Sequence, residues 1–312
     1  GKTSTSRMIE SMLMEAGLTV GLTTSPHLHD VRERIRMQGA PIDLEKFIDT
    51  YEELAPFLDL VDEQLGVRLS YFEVMTAMAF AAFSDAPVDV AVIEVGLGGS
   101  WDATNVVNAD VCVITPIDLD HQKYLGETIE EISAEKAGII KEHNVVVSAM
   151  QHPAAEQIIQ ARATSTTSAL FFAGRDFDLI ERSIAIGGQL VSIQGLSNRF
   201  DEVVLPLHGE HQGRNAALAV AAVEAFFGAG VDERKMNPEI VEQGLGNVTS
   251  PGRLEVIRRG PTVLVDVAHN PHGAQSLTQS LESEFNFQYL VAIVGMFADK
   301  DASTFLDVIQ PN

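Results

Sequence analysis

Cysteine is almost absent from this chain. The single Cys112 lies inside the apolar run Val111-Cys112-Val113-Ile114, where a thiol packs as a small core side chain. One cysteine cannot close an intrachain disulfide, which excludes a disulfide-stapled scaffold and fits a cytoplasmic protein. Basic residues are scarce as well: 21 Lys and Arg stand against 44 Asp and Glu, a formal net charge of −23. That balance argues against a nucleic-acid partner, because phosphate contacts need clustered Lys and Arg. No apolar run approaches the roughly 20 residues of a membrane span. No signal-peptide pattern, internal repeat or low-complexity tract is visible.

What is present is apolar material: 46% of 312 residues, enough for a real core and about two domains. Helical and strand patterns alternate, which predicts an α/β fold with a mostly parallel sheet flanked by helices. Helices are predicted after Lys2, from Asp43 to Leu65, Tyr71 to Phe83, Thr128 to Ile140, Gln212 to Phe227, and from Pro271. Strands are predicted over Leu18 to Thr24, Val88 to Val95, Val111 to Ile117, Val145 to Ala149, Thr262 to Val267 and Tyr289 to Val294. The near-continuous apolar run of Val88 to Val95 reads as buried on both faces. Leu170 to Leu207, with alternating residues and Gly-rich turns, reads as a small antiparallel β insert. A break at Asn247 to Gly252 sets the expected boundary between a domain of residues 1–248 and a second α/β domain of residues 249–312.

The chain opens on Gly1-Lys2-Thr3-Ser4 leading into an apolar-periodic helix. This is the second half of a phosphate-binding loop, in which backbone N–H groups and the Lys cradle phosphates. The first half of that loop and a preceding strand are expected to lie outside the residues given, and the second domain is expected to be cut short at Pro311-Asn312. The polypeptide as given is therefore expected to be inactive.

Ser25, Glu94 and His121 each follow or end a predicted strand. Ligands in open parallel sheets bind at the strands' carboxyl ends, so these three side chains can meet on a cation beside the phosphates. Mg²⁺ suits that donor set, since it keeps water and phosphate oxygens in its octahedron. Ser25 before Pro26 is also good turn chemistry, and His121 alone also reads as a structural histidine. A carboxylate at position 94 on an apolar strand demands a partner or a metal. The glycines of Val95-Gly96-Leu97-Gly98-Gly99-Ser100 permit close backbone approach to a ligand. Lys136 reads either as a helix-surface ion-pair partner or as a buried amine of lowered pKa.

Taken in order, these motifs resemble the folylpolyglutamate synthase/dihydrofolate synthase family of Mur-ligase-like, ATP-dependent amide ligases. The resemblance rests on Gly1-Lys2-Thr3-Ser4-Thr5, Thr24-Ser25-Pro26-His27-Leu28, Glu94 to Gly99, Asp102-Ala103-Thr104-Asn105, Asp120-His121 with Tyr124-Leu125-Gly126, Glu135 to Ile140, His211-Gln212 with Asn215-Ala216-Ala217, and Asp266 to Pro271. It implies that Gly1, Lys2, Thr3 and Ser4 hold ATP phosphates, that Ser25, Glu94 and His121 bind Mg²⁺, and that Lys136 carries a carbamate. It further implies ATP contacts from Asn215, Arg253 and Asp266, and a pteroate site bordered by Ser70, Tyr71, Phe72, Glu73, Trp101, Asp102 and Ala103. His269 lies in the nucleotide-facing segment without an assigned role. The chain departs from the family pattern at Ser100 (usually Arg), Asp118 (commonly Gly) and Gln122 (usually Thr).

The implied activity joins a pteroate or folate carboxylate to the amine of L-glutamate through an acyl phosphate, in a monomer whose partners are small molecules. A cell-wall precursor ligase of Mur type is the alternative with the same chemistry. A non-ligating P-loop nucleotide-binding module is the alternative of a different class.

Overall fold

The computed structural model describes residues 1–230, 235–297 and 302–309. Helix α1 (Lys2–Glu15) begins at once from Gly1 and leads into strand β1 (Val20–Thr23). Strands β2 (Ile35–Met37) and β3 (Ala40–Pro41) follow, then helices α2 (Leu44–Leu65) and α3 (Tyr71–Asp85) and strand β4 (Val90–Ile93). The order in this sheet is β3-β2-β1-β4, and only β1 and β4 run parallel. Local chemistry sets the helix ends. Asp43 caps α2, and Gly66 closes it in the left-handed region at φ 69°, where glycine has no Cβ to clash. Ser70 and Glu73 form a reciprocal capping box at the start of α3.

A second sheet, β5-β6-β7, is all parallel: β5 (Val111–Ile114), β6 (Val145–Ser148) and β7 (Ala169–Phe172). Short helix α4 (Gln122–Leu125) and helix α5 (Ile129–Ala137) connect β5 to β6, and α6 (Pro153–Ser165) connects β6 to β7. Strands β8 (Asp178–Ala185), β9 (Gly188–Gln194) and β10 (Arg199–Leu205) form an antiparallel meander. Helix α7 (Glu210–Phe226) buries 13 of its 17 residues, so it is a core helix and not an amphipathic surface one. Helix α8 (Pro238–Gly246), the hairpin β11 (Glu255–Arg259) and β12 (Thr262–Val265), helix α9 (Pro271–Glu284) and helix α10 (Ala302–Ile309) complete the described elements.

The largest apolar cluster joins α1 and α7 to both sheets and the meander through Met8, Met12, Val147, Ile193 and Val220. Smaller clusters lie under α5 and α6, and between α3 and the first sheet. Gly21 shows how tight the last one is. A Cβ there would come within 2.6 Å of the Phe83 ring, so α3 can lie on β1 only because that side chain is missing.

The α/β class stands, and four details differ from the sequence reading. Strand β4 is half-exposed because it is an edge of its sheet among the described strands. The antiparallel insert starts at Asp178, since β7 joins the parallel sheet. Tyr289 to Val294 forms no strand: Val291 and Ile293 are 85% and 98% exposed, and no strand among the described residues pairs with them. Helix α6 is additional to the expected helices, and Pro153 at its first turn after His152 is its start signal.

Candidate functional site

The site gathers around the first turn of α1. Its free backbone N–H groups make a helix N-terminus suited to anions. The Lys2 ammonium donates to the carbonyls of Val95 (2.7 Å) and Gly96 (2.9 Å), which follow β4. Thr3 Oγ1 donates to Glu94 Oε1 at 3.0 Å. Glu94 is 5% exposed, and its Oε2 is buried without a hydrogen-bond partner. Burial pushes its carboxyl above the usual range, against the pull of Lys2, Thr3 and Arg253. An acceptor in that state fits a cation.

Ser25 stands just past β1, whose register sets Thr23 against Ile93 of β4. It therefore lies at the same sheet edge as Glu94. His121 belongs to the other sheet's loops. It sits at φ 51° before α4, beside Asp120 at 3.8 Å. Among the described residues, no three His, Cys, Asp or Glu side chains group to hold an ion by themselves. Lys136, at the end of α5, has its ammonium pKa lowered by burial first and then by Lys2, with Asp120 and Glu135 opposing. Lys2, Lys136 and Asp120 are thus electrostatic neighbours, which links the two sheets at this point.

The second half of the chain reaches the same place. Arg253 is half-buried, and its guanidinium feels Asp266 and Glu94. Asp266 accepts from the backbone N–H groups of Leu254 (2.9 Å) and Ala268 (2.7 Å), so it shapes the turn that carries Arg253. Asn270 caps α9 through Gly273 N–H and donates to Asp120 at 2.9 Å. His272 pairs with Asp118 at 2.7 Å, which gives the unusual Asp118 a partner. Exposed His269 lies with its Nδ1 2.9 Å from the Val267 carbonyl.

Several expected ligands take local roles. Ser4 is fully buried and bonds Ser250 (3.1 Å) and Gln212 (3.2 Å), so its hydroxyl ties α1 to α7 instead of facing a phosphate. Asn215 is buried too and donates to Gln212 at 3.0 Å. Ser70 and Glu73 are engaged in their capping box. Asp102 is buried and accepts from Leu97 N–H and from Thr104, which closes the glycine loop. Phe72 packs over Gly96, where a Cβ would lie 2.5 Å from its ring. Ala103 opens a short 3₁₀ turn. Tyr71 and Trp101 are exposed aromatics, 54% and 58%, and the Arg34 guanidinium lies 5.0 Å over the Tyr71 ring. Glu135, Gln212 and Asp120 stand in the sequence motifs without an assigned role. Their position beside Lys136, Asn215 and His121 was the available signal.

A helix N-terminus with Lys2, a buried acid and a cationic arm from the second half form a site suited to the phosphates of a nucleotide. Residues 69–223 match the Mur ligase middle domain, and residues 252–311 match the Mur ligase glutamate ligase domain. The chain is 46% identical to the dihydrofolate synthase/folylpolyglutamate synthase of Mycobacterium tuberculosis over its whole length, covering 66% of that protein. It is 36% identical to the folylpolyglutamate synthase of Lacticaseibacillus casei, over 98% of this chain and 71% of the relative. The solved M. tuberculosis folylpolyglutamate synthase complexed with ADP and AMPPCP superposes with a TM-score of 0.95 at 46% identity, covering 99% of this chain and 70% of that one. An FPGS–AMPPCP–folate complex gives 0.86 at 36% identity, over 90% and 68%. The chain belongs to the folylpolyglutamate synthase/dihydrofolate synthase family, and it spans about two thirds of the length of these relatives.

Proposed function

We propose that this chain carries the nucleotide-binding part of an ATP-dependent ligase that joins a pteroate or folate carboxylate to L-glutamate. One observation carries the reading: Lys2, Glu94, Arg253 and Lys136 converge on the start of α1 from four separate stretches of sequence. The relatives' names, and the AMPPCP and folate in the solved complexes, support the substrate class. Residues 1–248 form the ATP-binding unit and residues 249–312 belong to the glutamate-ligase unit.

In this reading the substrate carboxylate attacks the γ-phosphorus of ATP and ADP departs. The glutamate amine then attacks the acyl phosphate, and phosphate leaves. Lys2 moves from the Val95 and Gly96 carbonyls to the phosphates and offsets charge on the transferring group. Gly1 and Thr3 supply backbone N–H groups at the helix start, while Arg253 brings positive charge from the second unit. Asn215 and Asp266 hold the segments that border the nucleotide, and His269 stands near without an assigned step. Closure of the two units excludes water, which would otherwise hydrolyse the acyl phosphate.

Mg²⁺, when bound, supplies positive charge to the phosphate oxygens, and the orphaned Glu94 Oε2 fits it, with Ser25 and His121 as further ligands. Burial lowers the proton affinity of Lys136 and favours the neutral amine that captures CO₂. Tyr71, Phe72 and Trp101 border the pteroate. We place the enzyme in the cytoplasm, in keeping with its one buried cysteine, and read it as a monomer acting on small molecules. The deciding measurement is glutamate-dependent ADP release by the complete protein, with dihydropteroate and a reduced folate supplied separately. ATP turnover indifferent to glutamate would leave only a nucleotide-binding module.

A further inference from the structure

The glycine loop between β4 and Trp101 is held from below by one side chain that the ligase chemistry leaves unused. Glu135 Oε1 accepts from the backbone N–H groups of Gly99 (3.2 Å) and Trp101 (3.4 Å). The Glu135 carbonyl accepts from Ser100 N–H (3.0 Å) and the Ser100 hydroxyl (3.2 Å). Side chain and main chain of one residue therefore hold three consecutive loop residues.

The loop is shaped to this contact. A Cβ on Gly99 would stand 2.6 Å from the Glu135 carbonyl oxygen and 2.8 Å from that of Lys136. On Gly98, at φ +72°, it would stand 2.9 Å from Glu135 Oε1. On the other side of the contact, a Cβ at Gly138 would strike the Ser100 hydroxyl. These glycines let the loop lie on the end of α5. The ligand approach that their spacing suggests is not needed to explain them.

The loop carries functional groups at both ends, and Glu135 holds only the end that leads to Trp101. At one end the loop's Val95 and Gly96 carbonyls hold Lys2, and the residue after Glu135 is Lys136. At the other end the loop presents Trp101, more than half exposed on a backbone otherwise tied down. We infer that Glu135 is a positioning residue: through two backbone N–H groups it fixes Trp101 as a rigid aromatic wall for the flat pterin-bearing substrate. For its substrate the inference rests on the ligase reading; for the loop it stands alone.

Trp101 is the one tryptophan among these 312 residues, so in the complete protein, with any tryptophan outside them replaced by phenylalanine, its fluorescence reads the loop directly. Glu135→Ala removes the acceptor, whereas Glu135→Gln keeps a carbonyl oxygen in its place. We expect Glu135→Ala to lower Trp101 anisotropy and raise its quenching by acrylamide, with Glu135→Gln close to the parent. In the complete protein, Glu135→Ala should raise KM for dihydropteroate about tenfold, the loss expected for two backbone bonds, and leave KM for ATP nearly unchanged. Glu135→Gln should restore the parent KM. Should Glu135→Ala fail to fold, Glu135→Asp, whose arm is one methylene too short to reach, replaces it. Anisotropy equal to the parent in the shortened variant overturns the inference. So does an equal loss in the Gln variant, or a parallel rise in both KM values. A parent without glutamate-dependent ADP release overturns the ligase reading, and the anisotropy comparison then still decides the role of Glu135 in the loop.

Discussion

The Thr3 hydroxyl donates to Glu94 Oε1 at 3.0 Å across 91 residues of sequence, and so ties the first turn of α1 to the end of β4. One carboxylate oxygen is satisfied in this way while the other stays buried and unpartnered. Such an atom is costly unless something binds it. Glu94→Ala should therefore lower turnover by about 100-fold or more, in the range seen when a group acting on a transition-state charge is removed. It should also weaken the dependence of AMPPCP binding on added Mg²⁺. Calorimetric titration with and without Mg²⁺ checks this, and an unchanged Mg²⁺ requirement would remove Glu94 from the metal site.

Lys136→Ala in the complete protein should lower turnover steeply, by about 100-fold on the same grounds. A carbamate carries a carboxylate-like group, so short-chain carboxylic acids added to this variant should return part of the rate. Full activity without the amine would exclude Lys136 from the mechanism, and the absence of any rescue would count against the carbamate.

His211 makes stability depend on pH. Burial above all, with Arg182 and His272 adding and Glu284 opposing, lowers its pKa from 6.5 to about 4. The unfolded chain takes up this proton near pH 6.5, and the folded chain does so only near pH 4. The contribution is thus fully present above the higher value and is lost as pH falls toward the lower one. Between pH 7 and pH 5 the loss should be about 2 kcal/mol. Glu284, whose carboxyl sits below its usual 4.5 through His208 and Arg182 despite burial, loses its share at lower pH. Urea midpoints at the two pH values, for the parent and for His211→Gln, test this. An identical pH dependence in both proteins would refute the assignment.

Glu224 supports the meander from beneath. Fully buried in α7, it accepts from the N–H groups of Leu196, Ser197 and Asn198 and from the Ser197 hydroxyl. Glu224→Ala leaves the turn between β9 and β10 with unpaired donors and should cost about 3 kcal/mol. Chemical denaturation measures it, and a loss within experimental error of zero would show that water replaces the carboxylate.

Much of the fold was legible because its signals are local. Asp43, the Ser70/Glu73 and Thr128/Glu131 boxes and Asn270-Pro271 each mark a helix start within four residues. Glu94 was legible for a different reason: a carboxylate on an apolar strand has to be answered by something. What escaped depends on distant partners. Ser4 resembles a phosphate ligand until α7 covers it, and Glu135 has no visible task until a loop 34 to 36 residues away rests on it. Tyr289 to Val294 has strand composition, yet a strand exists only beside another.

Helix α7 touches α1, β5, β6, β8 and β9, and its inner surface is built largely from alanines such as Ala216, Ala217, Ala219 and Ala221, all nearly inaccessible. Methyl groups therefore act as shims between the structural layers. A bulkier side chain in that row has no outer face to escape to, so its extra volume would be passed along the stack toward Gln212 and Ser4, prising apart the very seam on which the phosphate-facing turn is seated.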